Sequence, residues 1–147
     1  MFDRVKLDES ISSFVKRVFD IELDIEGGFG YEKSDATIIN DLKGDSLDQY
    51  VYNLAHMRSY LEMNILKDKE SRYSSINLIQ RSKTKKDGYT IYSYEIQAML
   101  ESDYAKFIDE YKDGYGKDGF DIQDHFKRRE EATLKREVVY WVKARDC

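Results

Sequence analysis

Residues 35–48 read D-A-T-I-I-N-D-L-K-G-D-S-L-D, and the reading of the fold turns on what this stretch begins. Ser46 stands between Asp45 and Leu47, at the head of an apolar stripe with helical period: Leu47, Val51, Leu54, Met57 and Leu61. A serine in that place is a good N-cap, because its hydroxyl accepts one of the amide protons that a first helical turn leaves unpaired. It is also where a hydroxyl is offered to solvent for covalent modification, since the positive end of a helix dipole favours a phosphodiester. The spacing predicts a helix from Ser46 to about Ile65. A short helical turn over residues 37–42 precedes it, closed by Gly44.

Upstream, Ile11, Phe14, Val15, Val18, Ile21 and Ile25 follow a candidate N-cap, Asp8, at helical spacing, and Gly27 and Gly28 would end that helix. A rival pattern lies inside it. Residues 19–26, F-D-I-E-L-D-I-E, alternate as a strand with one acidic face would. The longer capped run favours a helix with a break after Phe19. Downstream, Tyr73, Ile76 and Ile79 form a weaker apolar patch. Beyond residue 80 the pattern changes: a basic stretch ends in Asp87-Gly88, a hairpin signal, and residues 89–97 then alternate with Tyr92, Tyr94 and Ile96 on one face. Helices are expected over residues 99–111 and 121–134, separated by Gly114, Gly116 and Gly119. Val138, Val139, Tyr140, Trp141 and Val142 mark a terminal strand.

The charge is unevenly placed. The net charge is −5; residues 1–80 hold 10 Lys/Arg against 15 Asp/Glu, whereas residues 81–147 hold 14 of each. An acidic half argues against nucleic acid and favours a partner with a basic docking surface. No apolar run is long enough to span a bilayer, the first residues carry charges rather than an apolar signal core, and the single cysteine, Cys147, permits no internal disulfide; a cytoplasmic protein is expected. His56 and His125 lack metal-ligand spacing, and no nucleophile elbow or phosphate-binding loop is present. Lys127, Arg128 and Arg129 are answered by Glu130 and Glu131, a solvated helix face. Seven of the 12 tyrosines fall between residues 70 and 120, which suits either an interface or an aromatic core.

Asp35, Thr37, Ile38, Asp41, Leu42, Asp45, Ser46, Leu47 and Asp48 match, without a gap, the acyl carrier protein signature D-x-[ST]-[LF]-x-x-D-L-G-x-D-S-L-D, with Lys43 at the place of its glycine. About residues 9–80 resemble that family. The resemblance implies a 4′-phosphopantetheine arm on Ser46, a thioester-bound acyl or aminoacyl cargo, and no catalysis by the chain itself. It also implies that acids and apolar residues around Ser46, here Asp41, Asp45, Leu47, Asp48 and Val51, would dock basic partner enzymes.

The expected fold is therefore mainly α (α+β overall). Residues 1–80 would form a carrier-like helical bundle, followed over 81–147 by an extension with a β-hairpin, two helices and a terminal strand paired with the hairpin. The extension would select the partner or mediate a homodimer. A second reading makes Ser46 only a helix cap and the chain an acidic, non-enzymatic binding module: an inhibitor, immunity or regulatory protein. Neither reading requires a metal, a membrane or nucleic acid.

Overall fold

A computed structural model describes residues 4–6, 9–42 and 44–145. Its centre is a five-stranded mixed sheet and not a helical bundle. The strands are β1 (Ile25–Gly27), β2 (Thr37–Ile39), β3 (Tyr73–Lys86), β4 (Tyr89–Leu100) and β5 (Leu134–Ala144), in the order β1-β2-β5-β4-β3. The β2–β5 pair is parallel and every other pair antiparallel. The four α-helices among the described residues are α1 (Ile11–Phe19), α2 (Leu47–Tyr60), α3 (Glu101–Gly114) and α4 (Ile122–Ala132), with α2 running on into a π-helical turn at Leu61–Ile65.

Three departures from the expected bundle have local causes. First, α1 ends at Phe19, where Asp20 takes a left-handed conformation (φ 57°) and its N–H closes on the Lys16 carbonyl. Aspartate tolerates that region better than most side chains. The alternating residues beyond it leave the helix and lead into β1. The N-cap is Ser10, whose hydroxyl accepts from the Ser13 N–H; Asp8 lies outside the described residues. Second, residues 37–39 are strand rather than helical turn. Their Thr-Ile-Ile run is β-branched, and Ile39 is buried opposite Ile25 in the β1–β2 register. The glycines read as helix stops shape the connection instead. Gly27 has φ 83°, and a Cβ there would sit 2.3 Å from the Ala36 carbonyl oxygen. Third, the apolar patch Tyr73, Ile76, Ile79 belongs to β3, which continues through residue 80 to the Asp87-Gly88 turn.

One face of the sheet carries the core. Thr90, Tyr92, Tyr94, Ile96 and Ala98 alternate inward along β4, Tyr140 and Val142 do so along β5, and α2 packs over them with Tyr50, Val51, Leu54 and Ala55. α1 adds Ile11, Phe14 and Val15 to the same core. The α3–α4 pair closes around a separate aromatic group, with fully buried His125 among Phe107, Tyr111, Phe120 and Phe126.

The charged side chain that fixes this arrangement is Arg58, only 1% exposed on the inner face of α2. Its terminal nitrogens donate to the carbonyls of Phe29 (3.0 Å) and Val139 (2.7 Å), and its guanidinium lies between the rings of Tyr31 (4.4 Å) and Tyr140 (4.6 Å). Four residues on, buried Glu62 accepts from the Tyr31 hydroxyl, which itself accepts from the Val5 N–H. Replacement of Arg58 by alanine would remove two charge-assisted bonds, strand two carbonyls and empty the space between two rings; we expect a loss of about 3–5 kcal/mol in urea unfolding.

Acid stability is governed in part by Glu110. Bonds from Arg128 and then from His125 hold its carboxyl well below the ordinary value of 4.5, at about 2. A depressed carboxylate stabilises the fold fully above its unfolded value, and that contribution is lost as pH falls through its folded value. Thermal melts should therefore show wild type losing stability between pH 4.5 and about 2 more steeply than Glu110→Gln.

A candidate binding groove beside helix α2

Segment 20–24, which leaves α1 at the left-handed Asp20, lies beside α2. Between them lies a groove of about 510 Å³. Ile21 and Leu23 form one wall; Tyr50, Asn53, Leu54 and Met57, successive positions on one flank of α2, form the other. Tyr52 and His56 stand at its margin and Asp45 at its edge. Ile21 is 42% exposed, between the exposed Asp20 and Glu22.

Tyr50 is the residue that needs explaining. It is 4% exposed, yet its hydroxyl has no hydrogen-bond partner among the described residues. Burial first, and then the carboxylates of Asp24, Asp41 and Asp45, raise its phenol to about 12. A buried hydroxyl without a partner costs about 1–3 kcal/mol, and Tyr50 shares that state with the hydroxyls of Tyr94 and Ser59. Asp24 and Asp45 enter no ion pair among the described residues. Asp24 accepts only an amide proton, from Asn40 Nδ2 (3.1 Å).

The residues singled out from the sequence fall around this groove in different roles. Ser46 caps α2, its exposed Oγ accepting from the Gln49 N–H at 3.1 Å. Asp45 borders the groove, and the charge of Asp41 is felt by the Tyr50 phenol. Asp48 faces the other way, accepting from Lys83 Nζ (2.8 Å) and the Tyr92 hydroxyl (2.6 Å); those two bonds hold its carboxyl below the usual range. Leu47 is half-buried against the core. Val51 is fully buried, so it is a core residue and no docking surface can include it. His56 is half-buried with Nε2 3.2 Å from the Ile76 carbonyl, and His125 lies in the α3–α4 aromatic group. No cluster of three or more His, Cys, Asp or Glu side chains among the described residues is placed to hold a metal. None of the helices there is long and apolar enough to cross a membrane.

Tyr50 and Arg58 were missed in the sequence, although a signal existed. They stand four residues to either side of Leu54, so the apolar stripe carries a phenol and a guanidinium where aliphatic side chains would be expected. The groove has a stability signature that differential unfolding can read. Tyr50→Phe should leave the melting temperature unchanged or raise it slightly, because it deletes an unsatisfied group. Tyr92→Phe, which breaks a bond to a carboxylate, should cost about 1–2 kcal/mol. In comparison with known proteins the chain matches no family model, no curated protein and no solved structure.

Proposed function

We propose that this protein is a non-enzymatic binding module that captures a basic segment of a partner protein in the groove between segment 20–24 and α2. The observation that carries the reading is a groove lined by Ile21, Leu23, Leu54 and Met57 with Asp45 beside them, set in the acidic half of the chain. The charge supports it: the acidic half of the chain supplies both walls, and long-range attraction would steer a basic partner toward them. The hydroxyl and imidazole nearest the groove are engaged locally, Ser46 by the Gln49 amide and His56 by the Ile76 carbonyl, which suits recognition better than nucleophilic chemistry. Inhibitors, immunity proteins and regulatory subunits are the classes such a module would join. Cytoplasmic residence is part of the same proposal.

The carrier reading rests now on local geometry alone. Ser46 is exposed at the N-terminus of a fourteen-residue helix, a place that suits a phosphodiester, but the bundle that would surround an arm is not this fold. Under it, the serine hydroxyl would hold the 4′-phosphopantetheine and the arm's thiol would carry the acyl group.

Two measurements separate the readings. In the first, a displayed random peptide library is selected on the wild-type protein. Selected peptides should be rich in Lys and Arg next to apolar residues and should bind more weakly as salt rises. Asp24→Asn with Asp45→Asn should weaken them by roughly fivefold, about 1 kcal/mol. Selection of neutral or acidic peptides, or affinity indifferent to salt, would sink the proposal. In the second, intact mass is recorded after incubation with coenzyme A and a permissive phosphopantetheinyl transferase. No gain is expected; a gain of one phosphopantetheine that Ser46→Ala abolishes would establish the carrier instead.

A further inference from the structure

The alternation that turns Tyr92, Tyr94, Tyr140 and Val142 into the core turns their neighbours the other way. Tyr89, Ile91 and Ser93 of β4 and Val139, Trp141 and Lys143 of β5 therefore share the outer face of the sheet, opposite α2. Across the ladder Ile91 pairs with Trp141 and Ser93 with Val139. On β3, Lys86 pairs with Tyr89 and Thr84 with Ile91, on the same face. β4 and β5 are interior strands, yet Val139 is 42% exposed, and Lys86 and Lys143 are exposed as well. The α3–α4 pair meets the sheet toward its other end, around Gln97 and Met99.

Positive charge gathers at this end around one ring. Lys33 and Lys143 place their ammonium groups 5.5 and 5.6 Å from the centroid of Tyr89, whose ring meets that of Trp141 edge-on at 6.2 Å. Asp87 answers Lys33 at 3.6 Å, whereas Lys86 and Lys143 enter no ion pair among the described residues. In a chain of net charge −5, the patch is a basic rim around an apolar centre of Ile91, Val139 and the only tryptophan.

We propose that this end of the outer sheet face docks a short acidic segment of a partner protein, one that sets an apolar side chain between carboxylates. The apolar side chain would lie on Trp141, Val139 and Ile91, and the carboxylates would pair with Lys86, Lys143 and Lys33. The surface is separate from the groove beside α2 and does not depend on what the groove binds.

The composition of the patch argues for this occupant. A sheet face left to water alternates polar residues outward, but β5 presents Val139 and Trp141 in mid-face. An apolar centre inside a charged rim is the anatomy of a protein interface, and tryptophan is the side chain most often at its energetic centre. The rim fixes the sign of the partner, because like charges brought against unpaired lysines cost several kcal/mol by general experience. A polynucleotide fits less well. One indole gives a single stacking surface, and Glu95 and Glu137, paired farther along the same face, would repel a phosphate backbone that followed the strands. The net charge of the chain opposes a long polyanion more than a short acidic segment.

Because Trp141 is the only tryptophan, its emission reads this surface directly. The full chain is titrated with acetyl-Glu-Glu-Phe-Glu-Glu-amide, with its lysine and glycine-centred counterparts, and with a short oligothymidylate. The phenylalanine-centred acidic peptide should move the indole emission to shorter wavelength in a saturable way and bind more weakly as salt rises. It should bind about tenfold more tightly than the glycine-centred peptide. Lys86→Gln with Lys143→Gln should weaken it by about fivefold at an unchanged melting temperature, since both side chains are exposed. Val139→Thr, which keeps a β-branched residue in the strand, should weaken it by about threefold. Equal binding of the lysine peptide, or of the glycine-centred one, would overturn the proposal, as would a tighter response to oligothymidylate. Affinity untouched by the double lysine change, or no saturable change with any peptide, would overturn it too. So would sedimentation showing that the free chain self-associates and buries Trp141, which would make a second copy the occupant.

Discussion

A guanidinium placed in a hydrophobic core is tolerable only where oxygens and rings converge on it, and that condition ties this structure together. Arg58 obtains its two oxygens from positions 29 residues earlier and 81 residues later, the loop after β1 and the last strand. Its two rings come from the same places, Tyr31 and Tyr140. A slip of α2 by one turn would leave a buried charge without acceptors, a penalty of several kcal/mol, so the contact specifies registry as much as it stabilises. The neighbouring geometry follows from it. Thr37, next to the parallel β2–β5 seam, bonds to the Tyr140 hydroxyl and the Gly28 carbonyl, and Gly30 has no side chain because the Tyr140 ring occupies the space where one would lie. The π-helical turn that follows α2 brings Glu62 to the hydroxyl of Tyr31, so a cation over the ring face and a carboxylate at the hydroxyl hold one phenol.

Much of the second half of the chain could be read from its sequence because local signals there agree with one another. The Asp87-Gly88 pair closes the β3–β4 hairpin, and the alternation from Tyr89 places Tyr92, Tyr94 and Ile96 on the buried face. The strand around Val138–Val142 pairs antiparallel with β4. The start of α2 was equally legible, since an N-cap serine before a stripe of helical period leaves little choice. The first half failed where two periods fit the same residues. F-D-I-E-L-D-I-E satisfies a helix with a break and a strand alike, and the decision lies in Asp20's backbone and in Ile25 meeting Ile39, neither of which is local information. The resemblance around Ser46 reinforced the wrong choice. It depended on residues that any helix start needs, and it extended a family's bundle over residues 37–39 and 73–79, which are strands.

The candidate site shows why function was harder to read than fold. Arg58 and Tyr50 both break the apolar stripe of α2, and from sequence they look alike: polar heads at positions turned toward the sheet. Structure separates them. The terminal nitrogens of Arg58 meet carbonyls within 3.0 Å, whereas the hydroxyl of Tyr50 meets nothing among the described residues. A phenylalanine at position 50 would fill the same space without that deficit. Selection for stability alone therefore favours phenylalanine, by about 1–3 kcal/mol of desolvation not spent. The Tyr50 phenol is buried at the wall of the groove, where the carboxylates of Asp24, Asp41 and Asp45 disfavour its ionised form. Burial and the surrounding acids both keep that hydroxyl protonated. The occupant proposed for the groove is basic because the acidic half of the chain supplies both of its walls, with Asp45 among the lining residues.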